Sequence, residues 1–224
     1  MLRDSLQFIK NMEYPESSFY REDESDDSLF YLEPRLLVHI DEPAINELGK
    51  YLYDQLPAGA TILDLMSSWR SHIPENLVTG EVYGLGMNSE EMSDNPQLDQ
   101  WVVKDINKEP YLPYEGNLFD AVMVVVSVQY MTDPIEIFKE VNRVLKENGK
   151  FHVVYSNRMF PTKATKIWKL LDDIERASLI GSYFANSGGW GVPNAVNLSP
   201  NGNIFSDPLF AVSAQKNEQS KASV

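Results

Sequence analysis

Short apolar runs alternate with longer amphipathic stretches along this chain, and the alternation predicts its secondary structure. Runs typical of strands lie at 61–65, 81–86, 101–106, 119–128 and 149–156, and a last strand is expected at 207–216 after a weak one within 188–208. The run at 119–128 is β-branched and apolar on both faces, which is typical of a central parallel strand. Such a strand must be covered by helices on both sides.

The intervening stretches predict those helices. One begins at Asp41 and carries apolar residues at three- and four-residue spacing, namely Ile45, Leu48, Leu52 and Leu56. Another begins at Asp133 with Pro134 at its first position and ends at Asn148-Gly149. A short helix is expected at 74–78. A long one after Pro161, reaching Ser187, would turn five residues to the core: Ile167, Leu170, Leu171, Ile174 and Ala177. The order predicts an open, doubly wound, mostly parallel α/β sheet, which binds ligands beyond the carboxyl ends of its strands.

Composition narrows the function. The 224 residues include 19 Lys and Arg against 33 Asp and Glu, a net charge of −14 that argues against a nucleic-acid partner. Without cysteine there is no disulfide or thiolate chemistry. We expect no membrane span, metal site, P-loop or serine-nucleophile motif, and a cytoplasmic location. The acidic patch at 22–27 is expected to be a solvated surface.

The residues that follow the strands carry a resemblance. In order they are TILDLMSSWRSHIP, EVYGLGMNSEEM, VVKDINKEPYLP through FDAVMVVVSVQYM, and VLKENGKFHVVYSNRMF. This series resembles the class I S-adenosylmethionine-dependent methyltransferases of the type 11 group, over roughly residues 41–216. The resemblance implies a Rossmann-like methyltransferase sheet with an antiparallel last strand, S-adenosylmethionine as cofactor and S-adenosylhomocysteine as product. It also implies three regions: an N-terminal lid segment (1–40), the methyltransferase-like domain (41–216) and a disordered tail (217–224).

The cofactor end departs from the family pattern. The family follows Asp64 with a glycine-rich loop, but Met66, Ser68 and Arg70 stand at the glycine positions. The second strand usually ends in an acid that binds the ribose hydroxyls, where this chain has Gly86, so Asn88 or Glu90 is the expected substitute. The acid after the third strand is intact. The predicted cofactor-binding residues are Asp64, Met66, Ser67, Ser68, Gly86, Asn88, Asp105, Ile106 and Ser127. For Asp105 a turn-forming role, and for Asp64 a structural hydrogen bond, are the alternatives.

Catalytic and acceptor-binding candidates follow from the resemblance and from side-chain chemistry. His72 suits a general base, with a loop hydrogen bond as an equal alternative. Tyr130 would face the methyl donor, or be a partly buried aromatic. Packing roles are favoured for His39 and His152. The predicted substrate-binding residues are Tyr20, Tyr31, Arg35, Asn157 and Arg158, with Phe30 beside them.

Two functions compete at this point, and a third, an α/β enzyme that uses a nucleotide cofactor for other chemistry, ranks last because its glycine signature is also missing. The first is methyl transfer from S-adenosylmethionine to a small-molecule acceptor. The second is a non-catalytic binding or regulatory protein of methyltransferase fold that has lost its glycine-rich loop. The loop from Met66 to Arg70 separates them, because it either still holds the amino acid end of the cofactor or fills that space.

Overall fold

A computed structural model describes residues 14–201 and 205–218. Its strands are β1 (Ile62–Ser67), β2 (Val82–Gly86), β3 (Gln100–Val103), β4 (Phe119–Val125), β5 (Leu145–Ser156), β6 (Asn194–Asn197) and β7 (Leu209–Gln215). In this part of the chain they form one seven-stranded sheet in the order β3-β2-β1-β4-β5-β7-β6. Strands β1 to β5 are parallel, and β7 runs antiparallel to both β5 and β6. The predicted mostly parallel sheet with an antiparallel last strand is confirmed.

The helices are α1 (Asp27–Phe30), α2 (Glu42–Gln55), α3 (Ser89–Ser93), α4 (Pro134–Val144), α5 (Lys166–Leu170) and α6 (Asp173–Ser187), with 3₁₀ turns at Glu16–Phe19 and Val128–Tyr130. Asp41 caps α2 by accepting from the Ala44 N–H at 3.0 Å, and Asp133 caps α4 through the Glu136 N–H at 3.3 Å. Both predicted helix starts are confirmed. In the described part of the chain, no helix has the length and apolar character needed to cross a bilayer.

Two apolar layers enclose the sheet. On one face, Leu48 and Leu52 of α2 pack in a cluster with Ala121 and Met123 of β4. On the other face, α4 and α6 pack in a second cluster that contains Val122 and Val124 of the same strand. All four of these β4 side chains are fully buried, as the sequence of that strand predicts. The helices on both faces confirm the doubly wound architecture.

Three details of the helix prediction are wrong. The long helix after Pro161 is divided, because Leu171 is extended and Asp172 begins α6 with a capping box to Glu175. Consequently Leu170 and Ile174 are exposed rather than in the core. Helix α4 stops at Val144, since Leu145 is extended and pairs with Phe119 at the start of β5. At 74–78 the chain forms a turn instead of a helix, with the Leu77 N–H bonded to the Pro74 carbonyl.

Most of the predicted tail and part of the predicted N-terminal lid segment cannot be compared with the structure. Residues 1–13 of the lid segment and residues 219–224 of the tail lie outside the described residues, as do residues 202–204. Asn217, the first residue of that tail, is described, and its backbone N–H bonds to the Gly189 carbonyl at 2.9 Å.

Candidate functional site

A cavity of about 250 Å³ opens at the carboxyl ends of β1, β2, β3 and β4. The chain leaves β1 toward β2 and β3 on one side of the sheet and returns to β4 and β5 on the other. The neighbouring strands β1 and β4 therefore form the topological switch point, where open α/β sheets bind their ligands. We call this space the central cavity.

The loop after β1 forms one wall of the central cavity, and its backbone has an unusual conformation. Met66, at the first expected glycine position, has a φ of 61°. The pairing with β2 shifts between Leu65 and Ser67 at the same place. A left-handed backbone is easy for glycine and costs about 1–2 kcal/mol for other residues. The chain thus keeps a glycine-like turn with a methionine side chain on it, and Met66, Ser67 and Ser68 all line the cavity.

Asp64 lies behind this loop rather than in the central cavity. Its carboxylate accepts hydrogen bonds of 2.7 Å from the hydroxyls of Ser67 and Ser71, and Asn95 in turn donates to Ser71 Oγ and to the Ser68 carbonyl. Burial raises the pKa of Asp64 to about 6, despite these donors. Asp64 therefore fixes the shape of the loop. This is the structural hydrogen-bonding role that the sequence analysis gave as the alternative to cofactor binding.

At the end of β2 the cavity approaches bare backbone. A Cβ atom on Gly86 would collide with the Ser67 carbonyl, so the close passage of β1 and β2 requires glycine there. Asn88 is occupied elsewhere, because its Oδ1 caps α3 and its Nδ2 donates to the carbonyls of Tyr31 and Leu32. Glu90 is exposed. Asn88 lines the cavity but its side chain is engaged, and Glu90 does not line the cavity, so neither replaces the missing acid.

Glu91 brings a carboxylate to this position. It is 6% exposed and lines the central cavity. Its Oε2 accepts from the Ser68 hydroxyl at 2.6 Å, and its Oε1 accepts from the Arg35 backbone N–H at 2.7 Å. Glu91 thereby connects the β1 loop, α3 and the N-terminal segment at the cavity wall.

Asp105 follows β3, and Ile106 is buried beside it. The Oδ1 atom of Asp105 accepts from the backbone N–H groups of Asn107 at 2.9 Å and Lys108 at 3.4 Å. Among the described residues, nothing donates to its Oδ2. The residue forms a turn and also lines the central cavity, so both of its predicted roles are compatible with the structure.

The end of β4 closes the opposite side. Val126 has a φ of 51°, which is an outlier for a β-branched residue, and it is followed by Ser127 and the 3₁₀ turn that carries Tyr130. Tyr130 is 6% exposed, and its hydroxyl accepts from the Phe160 N–H at 2.8 Å. Burial raises its pKa. Val126, Ser127 and Tyr130 all line the cavity.

The N-terminal segment covers the cavity with Asp27, Tyr31, Arg35 and His39. Asp27 was expected on a solvated surface, but it is 5% exposed. It forms a bidentate ion pair with Arg21, at 2.9 and 2.7 Å, and a 3.0 Å ion pair with Lys163. For this residue the surface prediction is wrong, because partners from two other parts of the chain compensate its buried charge.

The remaining predicted residues lie at the edge of the site or away from it. His72 lines a small adjoining cavity with Asp64 rather than the central one, and burial lowers its pKa to about 4. Arg158 lines the central cavity, but its Nε pairs with Asp207 at 2.6 Å. Asn157 is exposed and Tyr20 borders a separate depression, so neither reaches the central cavity.

Glu91, Asn107 and Phe160 are among the lining residues that the sequence prediction missed. Asn107 joins the two halves of the site, since its Nδ2 donates to Asp27 at 3.1 Å and to the Tyr130 carbonyl at 3.0 Å. Glu91 lies next to Glu90 in the sequence. This pair of acids at the start of α3 was the available indication that one of them brings a carboxylate to the cavity. Among the described residues, no group of three His, Asp or Glu is placed to hold a metal ion.

Comparison with known proteins agrees with this geometry. Residues 71–153 match the family model described as a methyltransferase domain. The ubiquinone/menaquinone biosynthesis C-methyltransferase UbiE of Chromobacterium violaceum is 31% identical over 112 residues, which cover 48% of this chain and 41% of that protein. The chain thus matches less than half of the length of this relative.

Solved structures show the same fold. A Haloferax volcanii protein, solved in a complex that contains the Trm112 methyltransferase activator, aligns with a TM-score of 0.58 at 16% identity, over 79% of this chain and 95% of its own. A methyltransferase of Aquifex aeolicus, described as S-adenosylmethionine-dependent, aligns with a TM-score of 0.54 at 14% identity, over 91% of this chain and 100% of its own. Together with the strand order, these structures show that the chain has the Rossmann-like fold of S-adenosylmethionine-dependent methyltransferases.

Proposed function

We propose that this chain transfers a methyl group from S-adenosylmethionine to a small-molecule acceptor. The observation that carries the proposal is the central cavity, which lies at the switch point between β1 and β4 and gathers Asp105, Glu91 and the β1 loop around one space. The relationship to a C-methyltransferase supports the reaction type.

The lining residues fit the adenosine part of the cofactor. Asp105 presents a carboxylate oxygen that no described residue donates to, and the buried Ile106 and Leu85 offer apolar surface near it. A carboxylate can accept from the adenine amino group, and aliphatic side chains can pack on the ring. We assign Asp105, Ile106 and Ser127 to this part.

Glu91 takes the place of the missing acid of β2. Gly86 cannot carry a side chain, whereas Glu91 reaches the same end of the strand from α3 and is held by Ser68. Each carboxylate oxygen has lone pairs beyond the one bond shown, so it can still accept from ribose hydroxyls. This assignment explains how a chain with glycine at the usual acid position can bind the cofactor.

The β1 loop would hold the amino acid part. Met66 retains the left-handed backbone of the missing glycine, so the loop still turns at the expected place. Ser68 contributes a hydroxyl, which its bond to Glu91 orients. The methionine side chain narrows the approach, and this loop is therefore where cofactor affinity is set.

When bound, S-adenosylmethionine supplies a methyl group on a positively charged sulfur; displacement by an acceptor nucleophile leaves S-adenosylhomocysteine, and the acceptor's proton passes to solvent or a base. The protein's part is chiefly alignment and exclusion of water. Tyr130 keeps its proton at neutral pH, because burial raises its pKa, and it fixes Phe160 through a hydrogen bond. We retain Tyr130 as a wall of the reaction site. His72 is a weak base with its lowered pKa.

Calorimetric titration with S-adenosylmethionine and S-adenosylhomocysteine tests the proposal. We expect one-to-one binding, and a ligand at 100 times its Kd should stabilise the fold by about 2.7 kcal/mol. Asp105→Asn keeps the turn-forming oxygen but loses the charge, and should weaken binding about tenfold. Asp133→Asn is the matched control, because Asp133 also accepts a backbone N–H but lies outside the cavity. A folded wild-type protein that binds neither ligand would favour the non-catalytic alternative.

A further inference from the structure

Arg35 lines the central cavity and carries an unpaired donor. Its Nη1 is buried and has no hydrogen-bond partner among residues 14–201 and 205–218. The rest of the residue is fixed, since Nη2 donates to the Phe30 carbonyl at 2.7 Å and the backbone N–H donates to Glu91 at 2.7 Å. A buried charged donor without an acceptor is costly. A ligand that supplies an anionic oxygen would remove that cost.

Aromatic rings surround this cation. The guanidinium carbon lies 4.4 Å from the ring centre of Phe30 and 5.3 Å from that of Phe160. The rings of Phe160 and Tyr130 are stacked, with centres 5.9 Å apart and planes at 25°. Both rings and Arg35 line the central cavity, so a planar ring in the cavity can pack against an aromatic side chain while it approaches the cation.

The other charges near the cavity leave Arg35 as the group available to an anion. Asp27 is compensated by Arg21 and Lys163. Arg158, the other arginine of the lining, is 60% exposed and paired with Asp207. Lys104, the lysine of the lining, is paired with Glu109 at 2.6 Å. Arg35 forms no ion pair with any described residue.

We propose that the methyl acceptor is a planar aromatic carboxylate, with its anionic group on Arg35 and its ring against Phe160 and Tyr130. This inference rests on the proposed function. In this arrangement Arg35, Phe160 and Tyr130 hold the acceptor, and the β1 to β3 ends together with Ser127 are left for the cofactor. A carboxylate on Arg35 would place the ring next to the wall that Tyr130 fixes.

Benzoate and benzamide are matched probes, because they share a ring and differ in charge. Each is titrated into the protein saturated with S-adenosylhomocysteine. Benzoate should bind and benzamide should bind at least about tenfold more weakly. Cyclohexanecarboxylate tests the ring: it carries the charge without the flat face and should also bind more weakly than benzoate. Equal binding of benzoate and benzamide, or binding of neither, would overturn the inference.

Arg35→Met should abolish the preference for benzoate over benzamide, and Arg35→Lys should keep part of it. Arg143→Met is the control, since Arg143 also lies over an aromatic ring, 4.9 Å from the centre of Tyr111, but outside the central cavity. Should Arg35→Met fail to fold, Arg35→Lys and the wild-type comparison decide.

One outcome separates this inference from the proposed function. Arg35 could instead pair with the carboxylate of the cofactor itself. In that case Arg35→Met would weaken the binding of S-adenosylhomocysteine. The binding of 5′-methylthioadenosine, which lacks the amino acid part, would be unaffected. The acceptor assignment would then be wrong while the proposed function stands. If the wild-type protein bound neither S-adenosylhomocysteine nor 5′-methylthioadenosine, the proposed function itself would be contradicted.

Discussion

Lys163 offers the sharpest test of how the N-terminal segment is held over the cavity. The residue is 0% exposed, and its Nζ lies 3.1 Å from Asp23 Oδ2 and 3.0 Å from Asp27 Oδ1. It also donates to the Ser25 carbonyl at 2.9 Å. Lys163→Met keeps the length and most of the volume of the side chain while removing the charge and the donors. The change therefore isolates the electrostatic contribution.

The structure sets the expected loss. Removing one partner from a buried ion pair costs about 3–5 kcal/mol, mainly because the other charge is left uncompensated. Here Asp27 keeps Arg21 and Asn107. Burial acts to raise the pKa of Asp27, yet hydrogen bonds from these partners and Lys163 hold it below its ordinary value. We therefore expect the lower end of that range, about 3 kcal/mol, or a fall in melting temperature of roughly 6–12 °C.

Chemical denaturation of both proteins measures the difference. Lys169→Met is the matched control, because Lys169 also binds the N-terminal segment, at Glu22, but with side chains 23% and 64% exposed. That pair should be worth less than about 1 kcal/mol. Hydrogen exchange at the amides of Asp23 and Lys166, which bond across the two segments, shows whether the segment is released before the sheet unfolds. A loss in Lys163→Met no larger than that in Lys169→Met would refute the reasoning.

Three further predictions concern the loop region. Burial raises the pKa of Asp64 to about 6, above its value in the unfolded chain. The folded state therefore disfavours the ionised carboxylate, and the protein loses stability as pH rises from about 4 to about 6. Asp64→Asn should avoid that loss and gain roughly 3 kcal/mol on the wild type across this range; unfolding curves with a constant separation would contradict it. Gly86→Ala should cost about 1–3 kcal/mol in denaturation and abolish S-adenosylhomocysteine binding, whereas Gly49→Ala, whose Cβ meets open space in α2, should not destabilise. An NMR titration of the His72 imidazole should show a midpoint near pH 4, and a midpoint at the ordinary histidine value would restore it as a candidate base.

Most of the sheet was predictable because the local pattern of apolar residues indicates which strands are buried. The stretch FDAVMVVVSV alternates between two buried faces, so its apolar run predicts both the strand and the helices that cover it. The helix break before α6 was also encoded locally. Asp172 and Glu175 form a capping box, and periodicity of the apolar residues obscured it.

The site was less predictable because its assembly depends on distant partners. Asp27 is buried through Lys163, which lies more than a hundred residues away along the chain, and a run of acidic residues alone gives no indication of that pairing. Glu91 differs from Glu90 by one helical position, and the turn of α3 decides which of them faces the cavity. Local sequence gives the residue types here, but only packing gives their direction.

Met66 shows that the loss of a glycine need not remove the turn that the glycine would form. Met66 lies near the end of β1 and Val126 directly follows β4, and both have a left-handed backbone without being glycine. Each left-handed residue costs about 1–2 kcal/mol of folding free energy. Such a conformation persists only where the surrounding structure enforces it. By residue type, the glycine-rich motif after β1 is missing. By backbone conformation, the turn at Met66 is retained. Since side chains now occupy a wall that glycine would leave open, the departure from the family pattern changes the space of the cavity rather than the path of the chain around it.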